Sequence, residues 1–218
     1  MEFALLGWPP DGPTLRLDYR RFAYAGKFVM SNTGKAVVSD RGDPTAPVPS
    51  EEYEADAAVL AAVAFSEDRT DEGVLWLRYV TVRDDRKGEN LGPKLCAFVV
   101  ARAAGRGYDR LRIAVNNPFA YEALHEAGFA WTGETTGIAE LVLERPADAP
   151  ADRSGERYRR GLDEFRRRDL SDAEVAFLAD RRDADPPEPL DGRSAGGADG
   201  RCPSGRRGTL GDDADAGY

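Results

Sequence analysis

Three observations predict an α/β fold built on a mixed, mostly antiparallel central sheet with helices on both faces. Strand-like apolar runs crowd residues 14–82, the middle of the chain alternates strand, helix, strand, helix, strand, and a proline marks the first turn of each helix in that alternation.

The elements follow in order. A short strand is expected near Thr14–Tyr19, then a hairpin in which "SNTG" (Ser31–Gly34) turns "KFVM" back onto "KAVV". Pro, Gly and charge in Asp40–Glu54 read as an exposed loop. Ala55–Ser66 is read as a buried strand, although its alanines also suit a helix. "VLWLRYVTV" (Val74–Val82) is a strand, because β-branched and aromatic residues fill it. "GPKLCAFVVARAAGRG" places Leu95, Phe98, Val99 and Ala103 at helical spacing, with Pro93 suited to the first turn and Gly105 and Gly107 to the stop. Tyr108–Val115 is the next strand, and Asn117 caps a short helix begun by Pro118 and ended by Gly128. Ile138–Glu144 closes this region with another strand.

Beyond Arg145 the composition changes. "PADAPADRSG" is a linker, and Tyr158, Leu162 and Phe165, then Val175, Phe177 and Leu178, mark two short amphipathic helices. The sequence leaves open whether these helices pack on the sheet or form a homodimer contact. Three regions are therefore expected: 1–145 as the main domain, 146–182 as linker and helices, and 183–218 as an acidic, disordered tail.

Composition narrows the function. In 218 residues, 39 acids outnumber 30 bases and leave a net charge of −9, which disfavours nucleic acid as a partner. The Arg166–Arg168 run therefore reads first as a solvated helix face. Cys96 and Cys202 suggest neither a disulfide framework nor a metal site, so a cytoplasmic location and no metal are expected. No apolar window reaches the length of a membrane span, so no membrane partner is expected either.

The chemistry lies in "VRDDRKGENLGPKLCAFVVARA". A strand that ends in a glycine-bearing loop and feeds a helix aims free backbone N–H groups, and the positive end of the helix dipole, at one place. Gly88 and Gly92 allow close approach of a phosphate, and Arg86 and Lys87 add charge. The spacing matches neither a P-loop nor a dinucleotide fingerprint.

"LRYVTVRDDRKGENLGPKL" resembles the acyl-CoA-binding motif of the GCN5-related N-acetyltransferase family, in which Gln/Arg-x-x-Gly-x-Gly/Ala follows a strand. Lys87 takes the Gln/Arg place, Asn90 the first glycine and Gly92 the second. Asn tolerates the left-handed backbone that the glycine place demands. "LRIAVNNPFAYEALHEAGF" resembles the family's next motif on Asn117, Ala120, Gly128 and Phe129. The resemblance covers residues 55–144. It implies acetyl-CoA as co-substrate: the backbone of Val80, Thr81 and Val82 would pair with the pantetheine arm, Lys87, Gly88, Glu89, Asn90, Leu91, Gly92 and Pro93 would hold the pyrophosphate, and Asn117 would lie beside the cofactor.

Many family members carry a tyrosine, four residues before the glycine of Gly-Phe, that protonates the leaving thiolate; here that place holds Leu124. Tyr121 and His125 are the nearby candidates, each with a plain alternative as a packing or surface residue. No carboxylate in "VLWLRYVTV" offers a general base, and Glu89 and Glu134 are merely near in sequence. Phe22, Tyr24 and Phe28 either line a wall of the acceptor cleft or pack under the hairpin. The resemblance implies N-acetyl transfer to an amine; a non-catalytic acyl-CoA sensor or interaction module on the same fold is the alternative.

Overall fold

The computed structural model describes residues 1–40 and 58–190. The expected loop after Asp40, the first three residues of the expected strand at Ala55, and the tail from 191 onward lie outside the described residues. Seven strands form one sheet in the order β1-β2-β3-β4-β5-β7-β6. They are β1 (Glu2–Gly7), β2 (Gly34–Ser39), β3 (Val59–Glu67), β4 (Val74–Val82), β5 (Arg110–Val115), β6 (Ala130–Thr135) and β7 (Leu141–Pro146). Only the β4–β5 pair is parallel, so the sheet is mixed and mostly antiparallel.

The helices are α1 (Leu91–Ala104), α2 (Pro118–Glu126), α3 (Gly155–Arg166) and α4 (Asp172–Ala179). All four contribute to one apolar cluster, in which Leu95, Phe98 and Val99 of α1, Leu124 of α2, Phe165 of α3 and Leu178 of α4 meet Leu60, Leu75, Leu111 and Leu143 of the strands. The opposite face of the β1–β4 half is covered by Leu15, Leu17, Phe22 and Phe28, which pack on Val37, Val59, Ala62 and Ala64. Helix on that second face amounts to one 3-10 turn, Ala25–Lys27. Phe22 and Phe28 are thus core side chains under the sheet, whereas Tyr24 is exposed.

Two N-terminal expectations are corrected. Thr14–Tyr19 is irregular, tied to the rest by Leu15 N–H donating to the Phe28 carbonyl at 3.0 Å. "KAVV" does form a strand, but its partner is Glu2–Gly7, with Phe3 opposite Val38 and Leu5 opposite Ala36. Long-range pairing with this edge segment prevails over the local turn. Lys35, fully buried on β2, is satisfied by the Met30 carbonyl at 2.6 Å, the Thr33 carbonyl at 3.0 Å and the Thr33 hydroxyl at 3.1 Å, and burial lowers its pKa to about 8.

The C-terminal helices pack on the sheet domain. Ser154 and Ser171 cap them, the second through a reciprocal box with Glu174. Residues up to 190 are tied down, Arg159 pairing with Asp185 at 3.0 Å, Arg153 with Glu188 at 2.7 Å, and Leu190 N–H reaching the Glu126 carbonyl at 2.7 Å. Prolines and acids in this stretch form no helix, yet they lie against arginines of α3 and its approach.

Candidate functional site

The site starts from how β4 ends. Ala64 of β3 faces Tyr79 while Phe65 faces Leu77, so Arg78 is an extra residue, a β-bulge. A bulge reverses the inside–outside alternation. Leu75 and Leu77 point into the helix-side cluster before it, and Val80 and Val82 do so after it. Tyr79 consequently joins the opposite cluster.

At the same point the parallel pair separates. Pairing between β4 and β5 runs from Val74↔Arg110 to Leu77↔Ile113 and stops, although both strands continue. Tyr79–Val82 still pair with Ala61–Ala64 of β3, and Ala114 and Val115 still pair with Val142 and Leu141 of β7. The facing edges of β4 and β5 are therefore left without a strand partner, forming a slot lined by backbone donors and acceptors. Such groups demand partners.

The loop above the slot has the backbone that close approach of an anion requires. Gly88 has φ 84° and Asn90 has φ 56°, both in the left-handed region. Asn90 precedes α1 with no side-chain cap hydrogen bond, so the helix presents its first-turn N–H groups uncapped by that residue. A Cβ built on Gly92 would meet Val82 Cγ2 at 3.5 Å and Val80 Cγ1 at 3.9 Å, which places the helix start directly over the end of β4. The basic side chains of the loop are paired within it: Lys87 with Asp84 at 2.6 Å, and Arg86 with Glu89 through two bonds of 2.7 and 2.8 Å. These pairs are solvent-exposed and screened by water, so a phosphate can displace the acids readily. The Thr81 hydroxyl, buried on the slot strand, has no hydrogen-bond partner among the described residues.

Across the slot, Asn117 caps α2 by accepting from Ala120 N–H at 2.8 Å. Arg168 reaches over from beyond α3, donating to the Asn116 carbonyl at 3.2 Å and the Ala139 carbonyl at 2.6 Å. The arginine run thus includes one residue that ties the C-terminal helices to the rim of the slot, which no local pattern could show.

The structure brings the α1 start at Gly92 over Val80 and Val82, and Asn117 follows two residues after β5, the strand that parts from β4. It does not bring Tyr121 or His125 to them. Tyr121 is fully buried, donates its hydroxyl to the Tyr158 carbonyl at 3.2 Å and is covered so closely by α3 that a Cβ on Gly161 would lie 2.1 Å from its oxygen. Burial pushes its hydroxyl pKa far above the ordinary value. His125 lies eight residues along α2 from Asn117, about 12 Å at the helical rise. Its Nδ1–H donates to the Tyr121 carbonyl at 2.9 Å, and its ring stacks among Tyr121 and Tyr158. Burial lowers its pKa to about 4. Tyr121 and His125, the two candidates for the acid, are both core groups, held under α3 by contacts from far along the chain.

Glu89 is engaged with Arg86, and Glu134 lies on β6, the edge strand beyond β5 and β7. A cavity with room for about one water adjoins His125, Arg153, Ser154 and Pro186, at the far end of α2 from the slot. The described residues contain no cluster of ligating side chains suited to a metal, and Cys96 is buried with its thiol pKa pushed up to about 12. No helix among the described residues is long and apolar enough to cross a membrane.

No protein-family model matches the sequence, and comparison with curated proteins finds no match. Solved structures do overlap it. A nourseothricin acetyltransferase is 20% identical with a TM-score of 0.41 over 53% of this chain and 65% of that one, just under two thirds of its length. A GCN5-related N-acetyltransferase from Kribbella flavida is 22% identical with a TM-score of 0.39, covering 52% and 67%. A Salmonella typhimurium protein solved with its cofactor acetyl-CoA is 16% identical with a TM-score of 0.41, covering 56% and 69%. At this identity and overlap the likeness is one of strand and helix arrangement.

Proposed function

We propose that the chain is an acetyl-CoA-dependent acyltransferase that acetylates an amine. The observation that carries this reading is the parting of β4 and β5 directly beneath an uncapped helix start and a left-handed loop. An extended amide-bearing arm can pair with the two free strand edges, and its pyrophosphate can meet the N–H groups of residues 88–92, with Lys87 and Arg86 supplying charge. Acetyl-CoA has this chemistry, an arm with two amides running from a thioester to a pyrophosphate. When bound it supplies an acetyl thioester: the amine nitrogen bonds to the carbonyl carbon, the carbon–sulfur bond breaks, and sulfur leaves with the electron pair and gains the proton that nitrogen loses.

The chain's own part is binding and orientation. Backbone groups of Val80–Val82 fix the arm, and the slot holds the thioester at one position, converting a bimolecular encounter into a positioned one. No buried tyrosine or histidine takes part, and solvent carries the proton.

Calorimetric titration with acetyl-CoA and CoA tests the reading, with Gly92→Glu as the control. The structure leaves room for a Cβ at Gly92, so this variant is expected to fold, and its carboxylate would sit where the anion is expected. Binding by the parent chain that is lost in the variant supports the site; no binding by the parent in low or high salt overturns it.

A further inference from the structure

The slot has two faces. The loop 87–93, α1 and the side chains of Val80 and Val82 occupy one; on the other, Thr81 is buried, Tyr79 is half-buried, and Arg78 and Lys27 are exposed. An acceptor that attacks a thioester held in the slot has to arrive from this second face, because the first is filled by the helix-side cluster.

The groups at that place have a definite character. Arg78, the bulged residue, is exposed and leans toward Ser66 Oγ at 2.8 Å, its guanidinium 5.1 Å from the Trp76 ring. Tyr79, beside it, is half-buried under the exposed Tyr24 ring, with 6.0 Å between ring centroids. Exposed Lys27 holds its ammonium 5.8 Å from the Tyr79 ring. On β5, Arg112 lies on the same face and is already paired with Glu144 at 2.6 Å. Asp68, the nearest acid to Arg78 in its electrostatics, is occupied by Trp76 Nε1–H at 2.6 Å and by Thr70. Among the described residues, neither Lys27 nor Arg78 forms an ion pair. In a chain of net charge −9, this second face thus carries two exposed cations outside any ion pair around an aromatic shelf, with the Asp68 carboxylate acting on Arg78 only through space.

We propose that the acceptor is a primary amine that also carries an anionic group, carboxylate or phosphate, which Arg78 and Lys27 hold beside Tyr79. This rests on the acetyl-transfer reading for its chemistry but stands separately as a binding site. The same cations also bear on the absence of a carboxylate base on β4. A positive surface disfavours a second positive charge nearby, so it favours the neutral amine that the attack requires.

The test is equilibrium binding of two matched pairs to the free chain and to the chain loaded with CoA. Phenylalanine and phenethylamine share amine and ring and differ in the carboxylate; phosphoethanolamine and ethanolamine differ in the phosphate. The anionic member of at least one pair is expected to bind about tenfold more tightly, the size of one charge-assisted contact. The pair with the larger ratio identifies the anion. Arg78→Gln and Lys27→Gln, both at exposed positions, are each expected to reduce the ratio, and the double variant to abolish it. Equal or reversed preference in both pairs, no binding of either anionic probe, or a preference that survives in the double variant overturns the proposal. A chain that binds the anionic probes but not CoA overturns the acetyl-transfer reading and leaves the anion site standing.

Discussion

At the first turn of α2, Asn117 sits beside a gap between two strands; two turns later, His125 sits inside a packed aromatic cluster. Both ends carry residues able to do chemistry, and the difference lies in the setting. In the cluster, burial holds Tyr121 and His125 in their neutral forms, and α3 closes them off. At the gap, the main chain itself is left with unused donors and acceptors. The comparison teaches that the reactive-looking side chains of α2 support the fold, while the unpaired polar groups at the other end belong to the backbone.

The largest effect that tests this contrast is Phe165→Ala, which empties the cluster beneath α3. It is expected to cost about 3–5 kcal/mol in urea unfolding, yet to leave acetyl-CoA affinity unchanged at a temperature where the variant is folded. Lost affinity in the folded variant would break the separation of the two regions. Next comes the pH dependence of His125. Its folded pKa, about 4, lies below the ordinary 6.5, so the unfolded chain binds more protons between those values. Stability is therefore complete above pH 6.5 and falls as pH drops toward 4, by roughly 3 kcal/mol from this residue. His125→Leu should flatten that slope relative to the parent, and an unchanged slope would place the histidine in water.

Smaller effects sharpen the other side. Asn90→Val forces a β-branched residue into the left-handed region, at about 1–2 kcal/mol, and should weaken acetyl-CoA binding in calorimetry; Asn90→Gly should preserve it. Equal binding by both variants would show that the conformation at Asn90 is irrelevant to the site. The smallest is Tyr121→Phe, which removes one buried hydrogen bond worth about 1 kcal/mol. Acetyl-CoA consumption with an accepted amine is expected to stay within a factor of two or so, whereas a loss of about a hundredfold would restore Tyr121 as the acid.

What could be read ahead of the structure follows the range of the forces involved. Val74–Val82 and the α1 start were legible because composition and punctuation are local, and the Asn117 cap because one side chain bonds three residues on. β1 was not, since "EFALLG" is short and its partner lies beyond a long irregular segment. β6 was missed because "AWTGET" turns polar after two residues and carries Gly133 at φ 93°. The bend at residues 87–93 was legible as a strand-to-helix corner, down to the left-handed Asn90. The choice between packing and chemistry for Tyr121 was not, because it depends on α3 arriving from 37 residues away.

The bulge at Arg78 can be viewed as a phase shift in a two-beat pattern. Up to Leu77 the strand keeps one beat, and from Tyr79 onward it keeps the opposite one. Deleting Arg78 would restore plain alternation and leave every later side chain on its present face, with Leu77, Val80 and Val82 toward the helices and Tyr79 away from them. Keeping Arg78 but drawing it into the regular ladder would instead exchange the faces of Tyr79, Val80 and Val82, so the bulge sets which side of the strand end meets the helix start.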